Sequence, residues 1–321
     1  MRISSSNGRA AISVVVPYYN GEDWIARSLS SILSQTLLPS EVLVIDDGSK
    51  SPLTREDIKD IMEMEAVRRR AVNLKIIRHA VNRGIPAARN TGIKASSGEW
   101  IAFLDQDDEW DSKKLERQMY VLGRDSDKKR QCRGIFSAVL EKNAFTTLER
   151  SSPKKEEIGM IGRKGVFRSL LWYGNFVYWI TMMVHKECFE KIGYLDESLA
   201  GGSDDYDFAL RLSLEGHLLF DAGSPIAIHY VHGNNYSHAL KFAEDNKKIY
   251  AKYKNLNSAL DRLLKKALSR NYYMEARYWH LQGKYQIAKK IYLNSIASCL
   301  TLKSIVMFCI CFSKGLFGRS G

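Results

Sequence analysis

Residues 100–107 read WIAFLDQD, an apolar run that ends in two aspartates separated by one residue. A strand buried on both faces of a parallel sheet is a continuous apolar run, and open α/β sheets bind ligands at the carboxyl ends of such strands. Mg²⁺ prefers oxygen ligands and often binds one or two carboxylates together with substrate phosphates. Asp105 and Asp107 therefore indicate a site for a divalent cation and a phosphate ester. The alternative is an acidic turn, because three more acids follow before residue 112.

Three further apolar runs precede this stretch, and helical patterns lie between the runs. The predicted strands are residues 12–16, 42–45 and 74–77, and the predicted helices are residues 24–35, 56–70 and 86–95. Strands that alternate with helices indicate βαβ units and a parallel sheet. Because right-handed crossovers bring the carboxyl ends of parallel strands to one edge, we expect the polar residues after the first, second and fourth strands to meet there.

The rest of the chain divides into a less regular part and a helical part. Before residue 236 the pattern predicts a helix at 112–124, a strand at 134–140, a mobile loop at 142–163 and a helix at 208–215. Beyond it the predicted helices are 241–253, 258–269, 272–282 and 286–300. We therefore expect a disordered leader at residues 1–10, an α/β domain at 11–235 and a helical C-terminal region at 236–321.

Composition narrows the class of protein. The formal net charge is +12, which favours attraction to polyanions such as nucleotide phosphates, nucleic acid or anionic lipid. The basic residues are scattered and no nucleic-acid-binding signature accompanies them, so a solvated surface is favoured over a nucleic-acid groove. The five cysteines contain no C-x-x-C pair, which argues against a zinc site or a disulfide framework. A cytoplasmic setting fits, and the N-terminus lacks the apolar core of a signal peptide.

Residues 305–312, IVMFCICF, form an apolar segment flanked by Lys303, Lys314 and Arg319. The segment is too short for a conventional transmembrane span. One interpretation is an interfacial membrane anchor, apolar inside and basic at both ends. The other is a C-terminal helix that packs on the catalytic domain or on a second subunit, which would make a homodimer. The pattern does not decide between them.

Five motifs follow one another along the chain. They are VVVPYYN (14–20), VIDDGS (44–49), NRG and AARN (82–90), FLDQDD (103–108) and GSDDYDFALR (202–211). Together they resemble the family 2 glycosyltransferases, inverting nucleotide-sugar-dependent enzymes, over about residues 11–235. The resemblance implies the α/β GT-A fold, a Rossmann-like, mostly parallel central sheet flanked by helices, here followed by a C-terminal helical extension.

The resemblance also implies a slot for the nucleobase of the donor. Pro17 and Tyr19 line this slot, Tyr19 stacks on the base, and Asp47 accepts a hydrogen bond from a base N–H. Arg89 faces the base or the diphosphate. Without the family, Tyr19 reads as an aromatic residue packed at a strand end, Arg89 as part of a surface salt bridge, and Asp46 and Asp47 as turn residues.

The resemblance also implies different roles for the acids of the FLDQDD motif and those of the GSDDYDFALR motif. Asp107 binds the divalent cation, Mg²⁺ or Mn²⁺, and Asp105 contacts the sugar or ribose hydroxyls of the donor beside the metal. Asp205 is the general base that deprotonates the acceptor hydroxyl. Family members more often have glutamate at the position of Asp204, so the shorter side chain departs from the pattern and puts its supporting role in question.

Neighbouring residues have less definite roles. Asn90 corresponds to a family position that supports the site, Arg211 is expected to tie down the acidic segment, and Asp207 suits the N-terminus of a helix. His229 or His232 is a candidate to close the metal site, although solvated or core histidines are more common.

The sequence thus predicts an enzyme that transfers a sugar from a UDP-, dTDP- or GDP-sugar to a saccharide hydroxyl. The acceptor is expected to be lipid-linked, the location the cytoplasmic face of the inner membrane, and the pathway cell-surface polysaccharide or lipopolysaccharide synthesis. One alternative is a sugar nucleotidyltransferase, although the expected Gly-rich loop after the first strand is missing. The other is a non-enzymatic nucleic-acid- or membrane-binding protein, which leaves the ordered acidic motifs unexplained.

Overall fold

The structure, a computed structural model, describes residues 12–124, 133–143, 149–199, 201–215, 217–231 and 239–317. The chain forms two compact units. Of the described residues, those within 1–167, 176–198 and 204–235 form the first unit, and those within 168–175, 199–203 and 236–321 form the second. The leader expected at residues 1–10 lies outside the described residues.

Strands and helices alternate in the first part of the first unit. In chain order they are β1 (Ile12–Tyr18), α1 (Glu22–Leu33), β2 (Glu41–Asp46), α2 (Lys59–Met62), α3 (Glu65–Arg68), β3 (Asn73–Arg78), α4 (Ile85–Ala95) and β4 (Trp100–Phe103). Every residue of β1, β2 and β4 is buried, as expected for strands covered on both faces. Helix α1 contributes Ile25, Leu29 and Ile32 to the same core.

The later part of this unit mixes short strands with helices. The elements are β5 (Glu109–Trp110), α5 (Lys114–Arg124), β6 (Arg133–Ser137), β7 (Val139–Asn143), β8 (Glu149–Ser152), α6 (Lys155–Lys164), α7 (Val166–Tyr173), β9 (Met183–His185), α8 (Glu187–Ile192), α9 (Asp204–Glu215), β10 (His217–Asp221) and β11 (Ala227–Val231). Helix α7 begins in the first unit and continues in the second.

The main sheet has the strand order β10-β6-β9-β4-β1-β2-β3. Strands β1 to β4 are parallel, which confirms the predicted βαβ arrangement. Strand β9 is antiparallel to both β4 and β6 and extends the sheet, a pairing that the sequence pattern did not predict. A second sheet has the order β5-β11-β7-β8. Because β1, β2 and β4 are parallel neighbours, the loops after them lie at one edge of the main sheet.

Four sequence predictions differ from the structure of this unit. The single strand expected at 134–140 is divided at residue 138 into β6 and β7, which belong to different sheets. The single helix expected at 56–70 is two short helices, because Met64 takes an extended backbone conformation between them. The loop expected at 142–163 contains β8 and α6, and β8 pairs with β7 through the backbone without an apolar pattern. Helix α9 begins at Asp204, four residues before the predicted start. This last difference places three aspartates in its first turn.

The second unit is helical. Its elements after residue 236 are α10 (Ala239–Lys252), α11 (Ser258–Leu281), α12 (Tyr285–Ser298) and α13 (Leu302–Phe317). Helix α11 is continuous where two helices were predicted, because the buried Asn271 amide donates to the Ala243 carbonyl of α10 (2.8 Å) instead of capping a helix. Among the described residues, no helix combines the length and apolar character that crossing a membrane requires.

Candidate active site

Side chains connect the loops after β1, β2 and β4. Gln106, the middle residue of the D-x-D motif, accepts a hydrogen bond from the Tyr19 backbone N–H (2.8 Å) and donates one to the Tyr19 carbonyl (3.3 Å). Asn20 donates its backbone N–H to the Ser49 hydroxyl (3.0 Å), and its side chain accepts from the Lys50 backbone N–H (2.9 Å). The strand-end loops therefore form one connected rim.

The predicted nucleobase residues lie on this rim in different settings. Pro17 is buried inside β1 and is paired in register with Ile45 of β2. Tyr19 is the first residue after the strand, and 43% of its surface is exposed. An exposed aromatic ring at a strand end offers a flat apolar surface to a planar ligand. Pro17 is thus buried within the strand, whereas the ring of Tyr19 is accessible.

The two aspartates after β2 are both buried. Asp46 accepts backbone hydrogen bonds from Ser49 (2.9 Å) and Leu53 (3.1 Å) and pairs with Arg78. Although burial opposes its charge, the N–H of Ser49 and the other donors hold the pKa of Asp46 below its usual value. Asp46 therefore stabilises the turn that follows β2.

Asp47 holds a different loop. One oxygen accepts from the Arg83 backbone N–H (2.9 Å) and contacts His79 Nδ1 (2.6 Å), and the other accepts from the Gly84 backbone N–H (2.8 Å). Gly84 has φ +89°, a conformation that favours glycine. Both oxygens of Asp47 thus already have protein donors, and a nucleobase would meet a carboxylate that also fixes the N-R-G turn.

Arg89 of α4 is buried and connects the two acid motifs. Its Nη2 lies 2.9 and 3.2 Å from the oxygens of Asp105, and its Nη1 lies 2.8 Å from Asp204. Burial opposes the charge on the guanidinium, but the neighbouring carboxylates raise the pKa of Arg89. The ring of Trp179 packs beside the guanidinium, 5.3 Å from Cζ. The alternative of a surface salt bridge does not describe this buried residue.

The D-x-D loop is fixed at several points. Arg27 donates to the Asp107 carbonyl (2.6 Å), and the Ser28 hydroxyl donates to the Asp105 carbonyl (3.1 Å). The carboxylates of Asp105 and Asp107 are partly exposed, whereas Asp108 is buried. A loop held through its backbone keeps the two partly exposed carboxylates in place at the sheet edge.

The buried Asp108, which follows the D-x-D motif directly, contacts the partly buried His229. His229 Nδ1 lies 3.1 Å from both oxygens of Asp108, and the Tyr230 backbone N–H donates to the same carboxylate (3.0 Å). Burial raises the pKa of Asp108 to about 6. Burial lowers the pKa of His229, but Asp108 outweighs this and raises it to about 9. His229 thus pairs with the residue after the D-x-D motif; His232 lies outside the described residues.

The proposed base lies in the first turn of α9. Asp204 is buried against Arg89, and its burial raises its pKa against the lowering effect of that guanidinium. Asp205 is partly exposed. The partial positive charge at a helix N-terminus stabilises carboxylates in the first turn. Arg89 therefore places the start of α9 beside Asp105.

Two side chains, the buried Asn90 and the partly buried Arg211, hold the segment before α9. Asn90 pairs with the backbone N–H and carbonyl of Leu195 (both 3.0 Å) and donates to Glu197 (2.9 Å). Arg211 binds Asp207 (2.8 Å) and the carbonyls of residues 192, 193 and 194. The expected support by Asn90 and Arg211 has this physical form: both side chains fix the chain that leads to α9.

Sequence reasoning missed Gln106 and Asp108 as positioning residues. Their types gave no specific signal, because a glutamine between two acids and a third acid after them also fit an exposed turn. The contacts of Gln106 explain why residue 21 is glycine: a Cβ there would lie 2.3 Å from the Gln106 side chain. Among the described residues, no group of three His, Cys, Asp or Glu side chains is arranged to hold a metal ion.

The fold has close solved counterparts. The structure of TarS residues 1–349 from S. aureus in complex with UDP superposes with a TM-score of 0.63 at 19% identity, covering 96% of this chain and 92% of that one. The same protein in complex with UDP-GlcNAc gives a TM-score of 0.65 at 18% identity. This likeness confirms the predicted GT-A fold with its additional C-terminal helices.

Sequence comparison identifies the family. The model of the family described as Glycosyl transferase family 2 matches residues 13–192, which is more than half of the chain, so the protein belongs to that family. An Escherichia coli relative, UDP-Glc:alpha-D-GlcNAc-diphosphoundecaprenol beta-1,3-glucosyltransferase WfgD, is 38% identical over 111 residues. A Bacillus subtilis relative, the putative teichuronic acid biosynthesis glycosyltransferase TuaG, is 31% identical over 118 residues.

These sequence matches are partial. They cover 35% of this chain and 40% of WfgD, and 36% of this chain and 44% of TuaG. A relative from Rickettsia bellii, 42% identical over 113 residues, is matched over only 15% of its length. The chain therefore spans less than half of the length of these curated relatives.

Proposed function

We propose that this protein is an inverting glycosyltransferase that moves a sugar from a nucleoside-diphosphate sugar to a saccharide hydroxyl. The observation that supports the proposal most directly is the Arg89 bridge. It brings Asp105 of the D-x-D motif, a motif suited to the donor, next to Asp204, whose neighbour Asp205 is suited to proton removal. Donor and acceptor chemistry need this proximity, because the attacking hydroxyl must reach the carbon that the diphosphate leaves.

In this proposal the rim formed by the loops after β1, β2 and β4 binds the donor. The exposed ring of Tyr19 stacks on the nucleobase beside Pro17, and Asp47 orients the base while it holds the N-R-G turn. Arg89 acts on the donor indirectly, because it holds in place the Asp105 carboxylate that contacts the donor. The solved TarS complexes contain UDP and UDP-GlcNAc, which supports a nucleotide-sugar donor of the UDP, dTDP or GDP class.

The acids of the rim suit a divalent cation shared with the donor. Mg²⁺ or Mn²⁺ commonly uses one or two protein carboxylates and takes its remaining ligands from phosphates and water. Asp107 fits this role, because it is partly exposed on a fixed loop. Asp105 would bind the ion while it also keeps its salt bridge to Arg89. When bound, the ion supplies positive charge to the departing diphosphate.

Asp205 is the proposed general base. Its carboxylate accepts the proton of the acceptor hydroxyl while the hydroxyl oxygen bonds to the anomeric carbon and the bond to the diphosphate breaks. The attack comes from the face opposite the leaving group, so the configuration inverts. A carboxylate can perform this step because the hydroxyl becomes more acidic as its oxygen bonds to carbon.

The acceptor is proposed to be a lipid-linked saccharide of cell-surface polysaccharide or lipopolysaccharide synthesis. The name of WfgD describes transfer to a GlcNAc attached to diphosphoundecaprenol, and that of TuaG describes teichuronic acid biosynthesis. A lipid-linked acceptor requires the enzyme to work at a membrane, so we propose a peripheral location at the cytoplasmic face of the inner membrane. Nucleic acid has no place in this scheme, and a homodimer remains an alternative partner arrangement.

A panel of UDP-, dTDP- and GDP-sugars tests the proposal. With Mg²⁺ or Mn²⁺ present, we expect at least one nucleotide sugar to raise the melting temperature and to be slowly hydrolysed to its nucleoside diphosphate. Addition of EDTA should remove both effects, because the diphosphate then loses its counter-charge. If no nucleotide sugar or nucleoside diphosphate binds in a metal-dependent way, the proposal is wrong.

A further inference from the structure

Helix α13 is apolar on its inner side. Cys311 is buried, and Met307 and Phe308 pack against the core formed by α11 and α12. That core consists of Ala276, Ala288 and Tyr292 together with Cys311. Ser304 is also buried, where its hydroxyl contacts Ser295 (2.8 Å). Helix α13 thus has an ordinary packed face within the helical unit.

The outer side of α13 is apolar as well. Leu302, Val306 and Phe312 expose 77%, 47% and 47% of their surface, and Cys309 is exposed beside them. Spacings of three and four residues place Leu302, Val306 and Cys309 on one helical face. We call Leu302, Val306, Cys309 and Phe312 the outer face. A helix that is apolar all round is normally buried, and a contiguous exposed apolar patch marks an interaction surface.

The net positive charge of the protein comes from the C-terminal region that contains α13. Residues 236–321 contain 16 Lys and Arg against four Asp and Glu, whereas residues 1–235 contain 32 of each. The whole formal net charge of +12 therefore falls in the last 86 residues. Lys289 of α12 lies with its Nζ 4.3 Å from the ring centre of Phe312, and Lys303 is exposed in the first turn of α13.

We infer that the outer face of α13 docks on the surface of an anionic lipid bilayer. The apolar side chains enter the boundary between headgroups and acyl chains, and the surrounding lysines pair with lipid phosphates. Nucleic acid satisfies the charge but not the apolar face. A second copy would bring two units of +12 together, which repel. The inference extends the proposed function by naming the surface that brings the enzyme to a lipid-linked acceptor.

Vesicle sedimentation of the full chain tests the inference. We expect the wild type to sediment with equimolar phosphatidylcholine–phosphatidylglycerol vesicles and to remain in solution with phosphatidylcholine alone. The double substitution Leu302→Glu and Val306→Glu should lower binding by about tenfold or more, because it places two carboxylates in the apolar contact. The matched control is Gln286→Glu with Asn294→Glu, which changes the charge equally at exposed positions of α12 and should lower binding much less.

Three results would overturn the inference. The first is a wild-type protein that does not sediment with the anionic vesicles. The second is equal vesicle binding by the outer-face variant and its control. The third is salt-sensitive binding to bulk RNA, or a dimer abolished by the outer-face variant, without vesicle binding. If the Glu pair does not fold, Leu302→Gln with Val306→Gln replaces it. Hydrolysis of a soluble nucleotide sugar without vesicles is measured in parallel, and its absence contradicts the proposed function but not the docking surface.

Discussion

The guanidinium of Arg89 faces Asp105 and Asp204 at 2.8–2.9 Å, while its Nε has no hydrogen-bond partner among the described residues. The residue is 5% exposed. A buried cation between two carboxylates has little to contribute to stability over an apolar replacement, but removing it leaves unpaired buried charge. The main effect of Arg89 is therefore to fix the position of the Asp105 motif relative to the Asp204 motif.

Arg89→Gln is expected to lower the free energy of unfolding by about 3 kcal/mol, because Asp204 is left without its counter-charge. Arg89→Lys keeps a charge but cannot reach both carboxylates with a planar fork. It should therefore recover part of the stability while the turnover number stays roughly 10²-fold below the wild type. Urea unfolding and initial rates of nucleotide-sugar turnover check this.

Arg69→Gln is the matched control, since Arg69 is exposed and pairs with Glu65 one turn away. It should change neither quantity. If Arg89→Lys turns over the donor as fast as the wild type, or if only the KM for the donor changes, Arg89 contacts the donor directly and the positioning role is wrong.

At this scale the sequence predicted which acids end the strands but not how they are held. Asp105 and Asp107 follow an apolar run, so their place at the sheet edge could be predicted. The pairing of Gln106 with the Tyr19 backbone joins residues 87 positions apart. Such a contact depends on the register between β1 and β4, which no local pattern encodes.

Among the elements, β2 begins with a buried carboxylate that joins three neighbouring segments. Glu41 accepts from the Ser97 backbone N–H (2.7 Å), the Ser13 hydroxyl of β1 (2.7 Å) and Lys75 of β3 (3.0 Å). Burial opposes its charge, but the N–H of Ser97 and the other donors lower its pKa to about 2. The amino end of the sheet thus depends on one ionised side chain.

A lowered pKa in the folded state means that this stability is present above the unfolded pKa and is lost as the pH falls from about 4.5 towards 2. Glu41→Gln should therefore cost about 3 kcal/mol of unfolding free energy at neutral pH. The difference from the wild type should shrink as the pH falls through that window. Urea unfolding at a series of pH values measures it.

The exposed Glu56→Gln provides a comparison, and its unfolding free energy should follow that of the wild type at every pH. A difference between wild type and Glu41→Gln that stays constant with pH would mean that the loss comes from packing and not from the charge of Glu41.

The elements that could be predicted are those with an apolar pattern. Strands β1, β2 and β4 each contain a continuous apolar run, and their order with the intervening helices indicates a parallel sheet. Strand β8 is Glu-Arg-Ser-Ser and has no such pattern, so only its backbone pairing with β7 reveals it. Helix α11 is continuous across the predicted break at residues 270–271, where the Asn271 amide donates to the Ala243 carbonyl of α10.

At the scale of the whole molecule, the net charge differs between residues 1–235 and residues 236–321. The balanced charge of residues 1–235 accompanies the rim and its acids, and the basic excess accompanies the helical unit. The sequence showed the apolar segment near the C-terminus and left its role open. The outer face required the structure, because the same residues divide into packed and exposed sides only once α13 lies against α11 and α12.

The central claim is that donor binding and proton transfer belong to different acids, Asp107 and Asp205. The most direct measurement compares Asp205→Asn and Asp107→Asn in calorimetric titrations with the nucleoside diphosphate and Mn²⁺, alongside turnover of the nucleotide sugar. We predict that Asp205→Asn binds the diphosphate as the wild type does but releases none from the nucleotide sugar, whereas Asp107→Asn loses metal-dependent binding. Loss of diphosphate binding by Asp205→Asn, or wild-type turnover in that variant, would contradict the account.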